Sequence, residues 1–163
     1  MRKESRSLLN MVTSAGWIDT ALKKLQIYAI FRGNYIYIGV SDRLIVDRWS
    51  AHFNENGSFL CALRRVNEDE LSRERAVHFL LYDLSSIEKH CKPEACRRVL
   101  EYIEHELHLY IGRSRFLTPR FRLISDTLRT APTSCSISPE YIVDATTYIL
   151  RDLEEKIALV VKD

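Results

Sequence analysis

Five side chains in this chain of 163 residues have types and spacings suited to work on a phosphodiester. Four of them lie in one stretch, Gln26 to Phe53, which reads QIYAIFRGNYIYIGVSDRLIVDRWSAHF. Tyr28 and Tyr37 stand on two short aromatic and β-branched runs either side of Arg32-Gly33-Asn34. Arg48 and His52 are four apart in the segment that follows, so a helix there puts them on one face. A guanidinium can hold a phosphate bidentately and stays charged at any useful pH. A histidine or tyrosine beside it can pass protons, although a tyrosine pKa near ~10 must fall before it works well as a base.

What this group lacks is a metal ligand, and Glu101, Glu104 and Glu106 supply candidates. At about 100° per residue, Leu100, Ile103, Leu107 and Ile111 define an apolar stripe. Glu104 falls on the border of that stripe and Glu101 points well away from it. A carboxylate beside a core stripe is costly unless something pairs with it. A divalent cation would do so, which makes Glu104 the first choice, with Glu101 and Glu106 kept as alternatives.

These side chains need elements to carry them. Gln26–Arg32 and Tyr35–Val40 read as strands joined by a tight turn, since Gly and Asn tolerate positive φ. Ser41 or Asp42 is the expected N-cap of a helix running to about His52. Residues 58–75 read as helix in two pieces around Asn67. Ala76–Leu84, a near-continuous apolar run, reads as a buried strand. A helix is expected from about Glu94 to Ile111. Ser138-Pro139-Glu140 opens another, with Ile142, Ala145, Ile149, Leu153 and Ile157 as its core face. Residues 1–25 read as helix, with a loose apolar face from Leu8 to Leu25. The expectation is one domain, 1–163, with an N-terminal helical extension (1–25), a core (26–111), and a basic loop and C-terminal helix (112–163).

The pattern resembles the GIY-YIG nucleases over about residues 26–111. Gln26-Ile27-Tyr28 stands where that family has its first motif, without the leading glycine. Tyr37-Ile38-Gly39 is its second motif intact. Arg48-Trp49-Ser50-Ala51-His52-Phe53 is similar to the family's arginine helix, with Arg48 one residue further from Gly39 than usual. Leu100 to Leu107 resembles the helix with its metal-binding glutamate, Glu104 fitting best. The resemblance implies an α+β fold, a small three-stranded antiparallel sheet flanked by helices, here with extra helices at both ends. It also implies a metal-dependent DNA endonuclease. Glu104 would bind the one metal, Mg²⁺ or Mn²⁺, and Arg48 would contact the scissile phosphate. Tyr28, Tyr37 and His52 would position or activate water. A second class of function is a GIY-YIG-like module that binds nucleic acid or protein without cutting, and metal binding at Glu104 separates the two. Tyr110-Ile111-Gly112 repeats the motif, but no hairpin precedes it and no histidine follows Arg120 by a turn, so it is rejected as a second site.

Residues 112–132 hold Arg113, Arg115, Arg120, Arg122 and Arg129 against one acid, Asp126, with Phe116 and Phe121 interleaved. Arg113, Arg115, Arg120 and Arg122 are candidates for tracking a phosphate backbone. A solvated loop anchored by its phenylalanines is the plainer alternative. The formal charge is only +2, which permits nucleic-acid binding without demanding it. The four cysteines fit no disulfide framework or zinc motif, which points to free thiols in a reducing, cytoplasmic setting. No apolar run approaches the ~18 residues of a membrane span. The chain is expected as a monomer or a homodimer through its terminal helices.

Overall fold

The computed structural model of the protein describes residues 2–7, 25–73, 75–114, 117, 120–126 and 137–160. The strands are β1 (Arg2–Ser7), β2 (Gln26–Arg32), β3 (Tyr35–Ser41), β4 (Val77–Asp83) and β5 (Arg122–Leu123). The helices are α1 (Ile45–Phe53), α2 (Ser58–Val66), α3 (Pro93–Arg113) and α4 (Pro139–Val160). Short 3₁₀ turns occupy Glu68–Ser72 and Ser85–Lys89.

The fold is α+β around one mixed sheet, in the order β1-β4-β2-β3-β5. Its centre is an antiparallel triplet. In the hairpin, Tyr28 stands opposite Gly39 and Ile30 opposite Tyr37, and β2 pairs on its other side with β4. The expected three-stranded sheet is thus extended at both edges, to five strands. β1 adds antiparallel to β4, and β5 adds parallel to β3 at Tyr35 and Ile36.

β1 corrects the helix expected over residues 1–25, at least for Arg2–Ser7; residues 8–24 lie outside the described part. The strand RKESRS carries no apolar residue, so neither helical nor alternating periodicity marks it. Charged residues suit an edge strand, where they discourage pairing with other chains. Its pairing comes from the ready backbone edge of β4.

Alternation along the central strands splits the core into two layers. Ile27, Ala29 and Phe31 of β2, with Ile36, Ile38 and Val40 of β3, pack under α3 and α4. Tyr28 and Ile30, with Phe79 and Leu81 of β4, pack under Ile45 and Trp49 of α1 and Phe59 and Leu63 of α2. β4 has both faces covered, which explains its near-continuous apolar run. On α4, Ile142, Ala145, Ile149, Leu153 and Ile157 are all buried in the first layer. The Tyr82 hydroxyl of β4 donates to Asp152 Oδ2 of α4 at 3.0 Å, which ties that helix to the sheet. Among the described residues, no helix is long and apolar enough to cross a membrane.

Candidate active site

The site begins with a cross-strand fit. A Cβ on Gly39 would run into the hydroxyl and ring of Tyr28. The missing side chain on β3 therefore lets the Tyr28 ring lie across the neighbouring strand. There its hydroxyl bonds Nε2 of His52.

α1 delivers His52 because Ile45, Trp49 and His52 recur at helical spacing and all face the sheet. Arg48 stands one turn before His52, half-buried at the border of that face. The helix begins later than its expected cap. Ser41 is engaged in a local turn instead, its Oγ accepting from the Arg43 N–H at 3.2 Å and donating to the Arg43 carbonyl at 2.9 Å. Asp42 pairs with Arg97 of α3 at 3.3 Å.

α2 adds a side chain that spacing did not single out. A Cβ on Gly57 would meet the main-chain carbonyls of Ala51 and His52, so glycine permits α2 to start hard against the end of α1. This brings Ser58 Oγ to 2.6 Å from His52 Nδ1. The Tyr37 hydroxyl donates to the same Oγ at 3.2 Å. Tyr28, His52, Ser58 and Tyr37 form one continuous chain of hydrogen bonds.

Protonation within the chain follows from burial. Tyr28 is 1% exposed, and its pKa is raised, first by burial and then by Tyr37. Burial also raises Tyr37. His52 is pushed down to about 4 by burial and by the Arg48 charge. At neutral pH both tyrosines keep their protons and the imidazole is neutral. Tyr28 then donates to Nε2, and the Nδ1 proton goes to Ser58. Tyr28 is shaped to hold His52 rather than to take a proton from water.

Glu104 arrives from α3, in the opposite layer, where that helix packs on β3. Its charge acts on both Tyr28 and Tyr37. Burial raises its own pKa to about 7, helped by Glu101, while Arg97 and Arg48 oppose the rise. Glu104 accepts no hydrogen bond from the described residues. Glu101 is held by Arg97, whose Nε lies 2.7 Å from its Oε1. Of the two, Glu104 is the carboxylate left to face the tyrosines. Tyr28, Tyr37, Arg48, His52 and Glu104 therefore share one neighbourhood, to which Ser58 and Arg97 belong as well.

The basic segment is partly visible. Arg113 is exposed at the end of α3, and Arg120 and Arg122 are exposed beside β3; Arg115, Phe116 and Arg129 lie outside the described residues. The Arg122 N–H donates to the Asn34 carbonyl at 2.7 Å, and Ser125 Oγ accepts from the Ile38 N–H at 3.1 Å. His108 Nε2 lies 2.8 Å from the same Oγ and fastens the segment to α3. Asp126 is close enough to act on Tyr37, so this segment borders that tyrosine. Tyr110-Ile111-Gly112 lies inside α3, not on a strand.

No protein-family model, curated protein or solved structure matches this chain.

Proposed function

We propose that the protein is a divalent-metal-dependent endonuclease of GIY-YIG type that hydrolyses DNA phosphodiester bonds. What carries the reading is that Arg48 and a half-buried Glu104, from two layers of the fold, lie close enough for the arginine's charge to act on the carboxyl, beside the Tyr28–His52–Ser58–Tyr37 chain. Arg48 makes no ion pair among the described residues, and its planar guanidinium suits a bidentate grip on a phosphate.

The donor set suits Mg²⁺ or Mn²⁺. Among the described residues no three His, Cys, Asp or Glu side chains form a cage. One carboxylate completed by water and substrate phosphate oxygens is a normal way to hold Mg²⁺. A carboxyl raised to about 7 by burial, with no hydrogen-bond donor among the described residues, gains from a cation. The ion, held by Glu104, would supply Lewis-acid polarisation of a phosphate oxygen and stabilise the leaving group.

The chain's own residues do the rest. Arg48 grips the scissile phosphate and offsets the charge that builds in the transition state. Tyr37, less buried than Tyr28, presents its hydroxyl to orient the attacking water. His52 is kept neutral and fixed by Tyr28 and Ser58, so that the Tyr37 hydroxyl, sharing Ser58 with it, is held in one orientation. Arg120 and Arg122 line the approach and track the backbone.

The test is nicking and linearisation of plasmid DNA by the purified chain with Mg²⁺ or Mn²⁺, and with EDTA. Cleavage that needs the metal supports the reading. Metal-independent or absent cleavage over several DNA substrates removes it.

A further inference from the structure

We propose that Cys91 and Cys96 form a dithiol site that small-molecule disulfides, such as glutathione disulfide, convert to an intramolecular disulfide. The two Sγ atoms lie 3.1 Å apart. A disulfide bond is about 2.0 Å long, so closure needs a movement of only about 1 Å.

The surroundings allow that movement. Cys91 sits in the short connection between the 3₁₀ turn Ser85–Lys89 and the start of α3, outside any regular element. Cys96 is in the first turns of α3. Among the described residues the thiols are held by weak sulfur hydrogen bonds to main-chain carbonyls, Cys91 to Ile87 and Cys96 to Lys92 at 3.4 Å, with Cys96 also reaching the Cys91 carbonyl at 4.0 Å.

The two sulfurs differ in access, which assigns their roles. Cys91 is half-buried and lines an open depression of about 460 Å³ with Glu88, Lys89, His90, Lys92 and Ala95. Cys96 is 1% exposed behind it. Lys89 and Lys92 border the depression with a single acid, Glu88, and their charges favour the approach of an anionic oxidant. The Cys91 thiolate attacks one sulfur of glutathione disulfide, giving a mixed disulfide and expelling one glutathione thiolate. Cys96, a thiol that burial pushes up to about 12, gives up its proton as it attacks the Cys91 sulfur and expels the second glutathione. The two thiol protons end on the two glutathiones, so the dithiol is oxidised and glutathione disulfide is reduced. Neither cysteine takes part in the phosphodiester chemistry proposed above.

Tryptic cleavage makes the product directly readable. Trypsin cuts after Lys89 and Arg97 and spares the Lys92-Pro93 bond, so both cysteines fall in the single peptide 90–97. The reduced full chain is incubated with glutathione disulfide, alkylated, digested and weighed by mass spectrometry. The expected result is that peptide 90–97 loses two hydrogens and escapes alkylation, while Cys61 remains alkylated. In Cys96→Ser the mixed disulfide at Cys91 persists, because the resolving sulfur is gone. In Cys91→Ser the buried Cys96 stays unmodified, which serves even if Cys96→Ser fails to fold. A wild-type peptide that keeps a glutathione adduct or two free thiols overturns the proposal. So does glutathionylation of Cys96 in Cys91→Ser at the wild-type rate.

Discussion

The Tyr28 hydroxyl, fully buried under α1 and α2, bonds Nε2 of His52, and Ser58 takes up the other ring nitrogen. One imidazole thus bridges the sheet and two helices. Tyr28→Phe leaves Nε2 as a buried acceptor with no donor, so it is expected to destabilise the fold by about 1–3 kcal/mol. Tyr37→Phe removes a hydroxyl from a more open bond and should cost less, about 0.5–1.5 kcal/mol. Urea unfolding of the two variants checks the order. Equal costs would show that the Tyr28–His52 bond does not anchor the site.

Gly39 and Tyr28 should be energetically coupled. Gly39→Ala places a methyl against the Tyr28 ring, and overpacking of this kind costs about 1–3 kcal/mol. With Tyr28→Leu in the background, the ring is gone and the added methyl should cost much less. A double-mutant cycle measures the relief. Additive costs would mean that the glycine has nothing to do with the tyrosine.

Stability against pH should carry two opposed contributions. His52 and His108 are both pushed down to about 4 from 6.5, so their unfolded forms bind protons that the folded forms refuse. Their contribution is present above pH 6.5 and is lost as pH falls toward 4. Glu104 is raised from 4.5 to about 7, so the folded form keeps a proton that the unfolded form loses. Its contribution is present below pH 4.5 and is lost as pH rises through 7. Between pH 4.5 and 6.5 the carboxyl offsets part of the histidine effect. Glu104→Gln should therefore make stability rise more steeply with pH in that window, by up to about 1.4 kcal/mol per pH unit. Urea midpoints at a series of pH values decide this. Parallel curves for wild type and variant would mean that Glu104 titrates as an ordinary surface acid.

Much of this arrangement was legible because local pattern and tertiary role agree. Alternation in Gln26–Arg32 and Tyr35–Ser41 fixes which residues face which layer, and so puts Tyr28 and Tyr37 together. The four-residue step from Arg48 to His52, and the apolar stripe beside Glu104, fix faces in the same way. β1 was not legible, because a polar edge strand has no core-facing set to reveal it. β5 was not legible either: two residues are too few to show a period, and their pairing depends on carbonyls of Asn34 and Ile36 far away in sequence. Ser58 escaped for another reason. Its place beside His52 depends on how closely α2 follows α1, and the only sign of that was the glycine before it. Arg97 had a visible partner in Glu101 four residues on, but nothing in the sequence tied it to Asp42.

Arg120 and Arg122 supply the next expectation. They stand beside the edge of β3 that also carries Tyr37. Replacing both with alanine should weaken DNA binding and lower the slope of log affinity against log salt by about one unit for each phosphate that the arginines no longer neutralise. Fluorescence anisotropy over a range of salt concentrations measures it. An unchanged slope would make this segment a solvated loop held by Phe121 and Ser125.

Cleavage separates the roles of Glu104 and Arg48. Glu104→Ala should abolish Mg²⁺-dependent cutting while leaving the circular dichroism spectrum and most of the DNA affinity in place, because the task proposed for the carboxylate is to seat the ion. Arg48→Ala should lower the rate by roughly 10²-fold or more, the loss expected when a preorganised charge at the transition state is removed. Arg48→Lys should recover only part of it, since an ammonium lacks the planar fork. The pH profile adds an independent reading. With Glu104 raised to about 7, the fraction ionised climbs through neutrality, so activity should rise over the same range. Higher Mg²⁺ should move that rise to lower pH, because the cation and the proton compete for one carboxyl. A rise that ignores Mg²⁺ would assign the titration to another group, and undiminished cutting by Glu104→Ala would take the metal away from this residue.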